Sequence, residues 1–195
     1  IAALSTDFHS VDSSSISKNY SSDLKNESGD GNKIIVAGDL QKTSFWEKVI
    51  GRESNDEERK LIVNEIGNEN PDMLVLLGDL VFDGSSKSDW QEFDELLKPI
   101  HSKNIPVFPV LGNHDYWRSN ESALNNFADR FNQFKTKHWY TQKFDSLAML
   151  FLDSNIDDLS EAEWNEQKNW FENQLKVFDN DSSVIGILVF LHHPP

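Results

Sequence analysis

Short apolar runs alternate with amphipathic stretches from Ile34 to the end of the chain. The apolar runs predict strands at 34–37, 73–77, 107–111, 139–144, 147–152 and 184–191. Apolar residues at helical spacing predict helices at about 57–66, 88–100, 122–134 and 160–178. Strands that alternate with helices in this way predict an α/β fold whose sheet is largely parallel near its centre.

The first 33 residues differ from the rest, because they are rich in Ser, Asp and Asn. We predict that residues 1–33 form a flexible arm and that residues 34–195 form one domain. Within the arm, Asp7 and His9 imitate a metal-binding Asp-x-His pair, but the segment that follows them is Ser-rich rather than helical. We therefore favour Asp39 and keep Asp7 and His9 as the alternative first motif. The chain begins with Ile1, so we expect that a leader was removed, which favours an exported or tethered protein over a cytoplasmic one.

The composition is that of a globular protein, with 37% hydrophobic and 26% charged residues. A formal net charge of -15 repels the phosphate backbone, so we expect no nucleic-acid partner, and a nuclease is disfavoured. The absence of cysteine excludes disulfides, thiolate metal sites and cysteine nucleophiles. No apolar run approaches the roughly 20 residues that a membrane span needs. The oligomeric state stays open.

Side chains that can bind metal follow four of the predicted strands. They are Asp39 and Gln41, Asp79, Asn113 and His114, and His192 and His193. In open α/β sheets, sites form beyond the carboxyl ends of the strands, so we expect these side chains to converge. Carboxylate, amide and imidazole groups suit Mn, Fe, Zn, Co or Ni ions. One Gly-Asp pair after a strand is more often an ordinary turn, so the interpretation depends on the recurrence at four strand ends.

The same residues occur in an order that resembles a known family. The series comprises Gly38-Asp39-x-Gln41, Gly78-Asp79, Gly112-Asn113-His114-Asp115 and His192-His193-Pro194. It resembles the calcineurin-like metallophosphoesterases over about residues 34–195. The resemblance implies a central β-sandwich flanked by helices, with two divalent or trivalent transition metal ions at the carboxyl ends of the strands.

The resemblance also implies a metal-binding role for each matching residue. Asp39 and Gln41 would bind the first metal ion, and Asp79 would bridge both ions. Asn113 and His192 would bind the second. Many members of the family have histidine at the position of Gln41, and an amide oxygen is a weaker, neutral donor.

Other positions are assigned by the same resemblance. His114 would lie outside the metal ions, near the leaving-group oxygen, and Asp153 would support the site without binding metal. Phe82 occupies the position at which purple acid phosphatases, a branch of this class, carry a tyrosine, so a phenolate–iron centre is not expected. The sequence stops at Pro195 without the family's final Gly-His-x-His block. We therefore expect the chain to be truncated and to lack a complete site.

The implied function is the hydrolysis of a phosphomonoester or a small phosphodiester. A water held between the two metal ions would attack the phosphorus, and His114 would protonate the leaving group. The expected partner is a small phosphorylated substrate. The alternative from another class is a non-catalytic metal-binding or partner-binding domain on the same scaffold. Metal content and turnover would distinguish the two.

Overall fold

The computed structural model describes residues 19–24 and 32–194. The strands of this part are β1 Ile34–Ala37, β2 Met73–Leu76, β3 Val107–Pro109, β4 Tyr140–Phe144, β5 Leu147–Phe151 and β6 Gly186–Phe190. The helices are α1 Phe45–Val49, α2 Asp56–Glu69, α3 Lys87–Leu96, α4 Lys98–Ser102, α5 Asn120–Ala128 and α6 Glu161–Asp179. Short 3₁₀ helices cover His114–Tyr116 and Asn132–Phe134. None of the helices within these ranges has the length and hydropathy of a membrane span.

The strands form two sheets of three strands each. In the first sheet, β2 lies between β1 and β3, and all three strands are parallel. In the second sheet, β4 and β5 form an antiparallel hairpin, and β6 pairs with β5 in parallel. The helices between the parallel strands provide the crossovers that such pairs need. The prediction of an α/β fold is confirmed.

The side chains of β2 alternate between two cores. Met73 and Val75 pack with Met149 and Phe151 of the second sheet, whereas Leu74 faces a core that includes residues of α2, α3 and α5. A third cluster packs α6 against the outer face of the second sheet. The layers are therefore helix, sheet, sheet and helix. This is the central β-sandwich flanked by helices that the resemblance implied.

Three helices differ from the sequence-based prediction. The helix expected at 122–134 is divided into α5, which ends at Ala128, and the 3₁₀ helix Asn132–Phe134. The helix expected at 88–100 is divided into α3 and α4, because Pro99 lies in the first turn of α4, where its missing N–H costs no hydrogen bond. Helix α1 was not predicted, since five residues are too few to show a helical period. It begins at a capping box in which Ser44 and Glu47 satisfy each other's backbone N–H groups.

Residues 19–24 pack against the domain, although the sequence placed them in a flexible arm. The side chain of Tyr20 is 5% exposed and stacks on Phe131 at 5.4 Å between ring centroids. Two backbone hydrogen bonds, from Tyr20 to Arg130 and from Val107 to Ser21, hold the segment in place. The expected arm is therefore wrong for these residues, because they bury an aromatic side chain. The rest of the proposed boundary stays a prediction, and residues 7 and 9 lie outside the described part of the chain.

Candidate metal centre

Side chains from four strand ends meet at one place. One ligand atom each of Asp39, Asp79 and His192 lies within 4.8 Å of the other two. Nε2 of His192 is 3.5 Å from Oδ1 of Asp79 and 3.3 Å from Oδ1 of Asn113. These residues follow β1, β2, β6 and β3. The convergence expected from the sequence is therefore present in the structure.

His192 has the orientation typical of a metal-binding histidine. Its Nδ1 lies 2.7 Å from the backbone oxygen of Leu77. A carbonyl oxygen can only accept, so Nδ1 carries a proton, and in the corresponding neutral tautomer Nε2 carries the lone pair. Histidine ligands commonly have their tautomer set by such a bond. The Nε2 lone pair then faces oxygen atoms of Asp79 and Asn113, an arrangement that a cation would stabilise.

The two aspartates of the cluster both have a left-handed backbone. The φ angle is 55° at Asp39 and 51° at Asp79, a region that residues other than glycine rarely adopt. The N–H of Asp39 donates to the carbonyl of Gly78 at 3.1 Å, and that of Gln41 donates to Asp79 at 2.9 Å. These bonds hold the loops after β1 and β2 side by side. Unfavourable backbone conformations of this kind cluster at functional sites.

The carboxylate of Asp79 is enclosed by the loop that follows β3. Asp79 is 4% exposed, and its Oδ1 accepts the backbone N–H of His114 at 2.9 Å. A Cβ atom on Gly112 would overlap the backbone nitrogen and the carboxylate of Asp79. Glycine is therefore required at position 112, because the two loops approach each other too closely for a side chain.

Asp115 is hydrogen-bonded to the same two loops, and the sequence did not predict a role for it. It is fully buried and accepts backbone N–H groups of Gly112 at 2.9 Å and Leu80 at 3.0 Å. Burial raises the pKa of its carboxyl to about 8, opposed by these hydrogen bonds and reinforced by the charge of Asp79. Its place in the Gly-Asn-His-Asp series was the one available signal.

The side-chain oxygen of Gln41, two residues after Asp39, is a further potential donor. Oε1 is buried and has no hydrogen-bond partner within the part of the chain that the structure describes. An unpaired buried carbonyl is costly unless a ligand satisfies it. With two carboxylates, one imidazole and the Asn113 amide, the residues present fit a transition metal ion.

His114 lies beside this cluster with a fixed ring. Its Nδ1 is 2.7 Å from the carbonyl oxygen of Phe82, so Nδ1 donates and Nε2 is left for another partner. The ring packs against Trp117 at 4.3 Å and against Phe82 at 5.0 Å between centroids. The ring is therefore oriented independently of the metal ligands.

Asp153 anchors the His114 loop from the end of β5. It is fully buried and accepts the O–H of Tyr116 and, at 3.0 Å, the backbone N–H of Asn155. Burial and the charge of Asp153 raise the pKa of Tyr116, so its hydroxyl stays a neutral donor. His138, which no motif singled out, lies 3.0 Å from the Tyr116 hydroxyl. These contacts are those of a structural support, the role expected of Asp153.

His193 contacts the loop after β5, while its ring meets that of His192 edge to face at 4.8 Å between centroids. Its backbone N–H donates to Oγ of Ser154 at 3.0 Å, and its Nδ1 lies 3.0 Å from the same oxygen. The two neighbouring histidines therefore have different surroundings. Only His192 belongs to the cluster formed with Asp39 and Asp79.

Comparison with protein families gives one match, to calcineurin-like phosphoesterases, over residues 32–195. Among solved structures, the fold is similar to purple acid phosphatase PPD1 from yellow lupin (Lupinus luteus) seeds, with a TM-score of 0.56 and 16% identity. The match covers 81% of this chain but 29% of the lupin chain, and at this identity it shows the fold alone. A protein of unknown function from Aquifex aeolicus overlaps 74% of this chain and 75% of its own, with 14% identity and a TM-score of 0.38, too low for an argument. No curated protein gave a significant match.

Proposed function

This chain belongs to the calcineurin-like phosphoesterase family, and on that premise we propose that it hydrolyses phosphate esters with the help of two transition metal ions. The substrate class is a phosphomonoester or a small phosphodiester. Asp39 and Gln41 would hold the first ion, Asp79 would contact both, and Asn113 and His192 would hold the second. Mn, Fe, Zn, Co and Ni all suit this set of donors.

The observation that carries the proposal is the meeting of Asp39, Asp79 and His192 at the strand ends. Nε2 of His192 faces this cluster, because Nδ1 is engaged by the Leu77 carbonyl. The two carboxylates repel each other at this distance, and a cation between them would offset that repulsion. A metal ion held by these three side chains would supply that positive charge.

The bound ions would activate water and neutralise the charge of the phosphoryl oxygens. The chain's own residues position these groups and move the proton. The Phe82 carbonyl holds Nδ1–H of His114, so a protonated Nε2 can donate to the leaving-group oxygen. Such a proton transfer contributes roughly a hundred- to ten-thousand-fold in rate. The backbone N–H of His114 fixes the Asp79 carboxylate. This bond would keep the metal-binding carboxylate and the proton donor His114 in a constant relative position.

The decisive experiment replaces Asp79 with Asn in the full-length protein. We expect the affinity for Mn²⁺ to fall at least about 100-fold, since residues that only support a ligand already cost up to that factor. Hydrolysis of bis(para-nitrophenyl) phosphate should be lost with it. Metal content by mass spectrometry and initial rates measure both effects.

Asp145→Asn is a matched control for this substitution. Asp145 also has a left-handed backbone, with φ of 53°, but lies exposed in the turn between β4 and β5. Its replacement should change neither metal content nor rate. Wild-type activity in Asp79→Asn would refute the proposal. Two bound metal ions without turnover of any phosphate ester would favour the non-catalytic alternative.

A further inference from the structure

Three aromatic rings form a continuous wall next to the metal cluster. Trp117 contacts His114 at 4.3 Å and Phe82 at 4.9 Å, and Phe82 contacts His114 at 5.0 Å. Trp117 and Phe82 meet edge to face, with an angle of 88° between their planes. We call Phe82, His114 and Trp117 the aromatic wall. His114 links the aromatic wall to the cluster, because its backbone N–H donates to Asp79.

Trp117 is 43% exposed although it is packed on two rings. Trp90 and Trp139, by comparison, are 0% and 5% exposed. Trp46 is more exposed, at 74%, but it lies on α1, whereas Trp117 packs on the ring of His114 beside the cluster. An exposed indole face beside polar, charged groups is a surface on which a planar ring can stack.

The loop that carries Trp117 is held in one position. The backbone N–H of Trp117 donates to the carbonyl of His114 at 3.1 Å, and Gly84 donates to the same carbonyl at 3.0 Å. The next residue, Arg118, has a φ angle of 69° and binds the carboxylate of Asp83 at 2.6 Å through Nε. Asp83 and Gly84 thus hold the loop of residues 114–118, and with it the indole, in one position. Such preorganisation lowers the entropic cost of binding a ligand.

We propose that Trp117 determines the preference for the leaving group, and that the preferred substrates are phosphate esters whose alcohol carries a planar aromatic ring close to the ester oxygen. The inference rests on the proposed function, in which His114 donates its proton to that oxygen. Because the indole is in contact with the His114 ring, a ring one or two bonds from the oxygen reaches it. Water adds to phosphorus, the bond to the ester oxygen breaks, and the alcohol leaves with the proton from His114.

The test compares benzyl phosphate with cyclohexylmethyl phosphate. Both release a primary alcohol of similar size, and only the first carries a planar aromatic ring. We expect kcat/KM of the wild-type protein to favour benzyl phosphate by about three- to tenfold, the range of one aromatic pair. In Trp117→Leu the ratio of the two values should fall to near one. Trp117→Phe, which keeps a ring, should retain part of it.

Trp46→Leu is the control, because Trp46 is exposed on α1 and belongs to neither the cluster nor the aromatic wall. This variant should keep the wild-type ratio. A wild-type ratio of one, or a ratio that Trp117→Leu leaves unchanged, overturns the inference while hydrolysis itself still supports the proposed function.

A second measurement decides the matter if neither ester is hydrolysed, which would count against the proposed function. Benzylphosphonate, which cannot be hydrolysed, is titrated into the metal-loaded protein while tryptophan fluorescence is recorded. Saturable quenching in the wild type and in Trp46→Leu, but not in Trp117→Leu, supports stacking on Trp117. Absence of quenching in all three proteins overturns it.

Discussion

A single methyl group added at Gly112 should disturb both the stability of the domain and its candidate metal site. The Cβ of Gly112→Ala would overlap the backbone nitrogen and the carboxylate of Asp79 and lie 3.0 Å from its Cα. The backbone of Gly112 is not left-handed, so alanine meets no other restriction there. The substitution therefore tests the close approach of the loops after β2 and β3.

The size of the effect follows from what would have to move. Asp79 is buried, and its carboxylate is held by the N–H of His114, so it cannot swing into solvent without losing that bond. Overpacking of a rigid interior costs about 1–3 kcal/mol in the free energy of unfolding. In a domain of this size each kcal/mol lowers Tm by about 2–4 °C. A displaced Asp79 carboxylate should also weaken metal binding.

Urea unfolding of the metal-free protein measures the first effect, and calorimetric titration with Mn²⁺ measures the second. Gly186→Ala is the matched control, since its Cβ would meet only the flexible end of Leu147, at 3.1 Å. It should be within about 0.5 kcal/mol of the wild type, as surface changes usually are. If Gly112→Ala is equally stable and binds Mn²⁺ equally well, the described contact between the loops is wrong.

Two further predictions concern Tyr20, whose burial the sequence did not predict, and Gln41, whose metal-binding role the sequence suggests. Tyr20→Ala should lower the free energy of unfolding by about 3–5 kcal/mol, because it removes a buried ring stacked on Phe131. Urea unfolding measures the change, and a loss of under about 0.5 kcal/mol would mean that residues 19–24 form part of a free arm after all. Gln41→His should tighten binding at the first metal position, since imidazole is a better donor than an amide oxygen. Competition with a chelator measures the change, and weaker binding would exclude Gln41 as a ligand.

The sequence predicted the fold well where local pattern reflects burial. Met73–Leu76 is continuously apolar because β2 is covered on both faces, by helices on one side and by the second sheet on the other. Helix α6 was recognisable from its capping box at Ser160. Tyr20 was missed because one aromatic residue within a polar segment forms no pattern. Its burial depends on Phe93 and Phe131, which lie far along the chain.

The sequence by itself determined which chemical groups stand at the strand ends, and the rule that parallel strands present their carboxyl ends at one edge places Asp39, Asp79 and Asn113 together. The packing of the second sheet on the first decided that His192, which follows β6, joins them. Only the tertiary structure decided which nitrogen of His192 is available, because Nδ1 is engaged by a backbone carbonyl 115 residues away. It also decided that Trp117 lies against His114 with part of its indole in solvent. The first feature depends on a backbone carbonyl, which every residue has. The second depends on the face of a ring, which every aromatic residue has. The pattern of side-chain types along the sequence therefore does not predict these contacts, whereas the folded structure shows them.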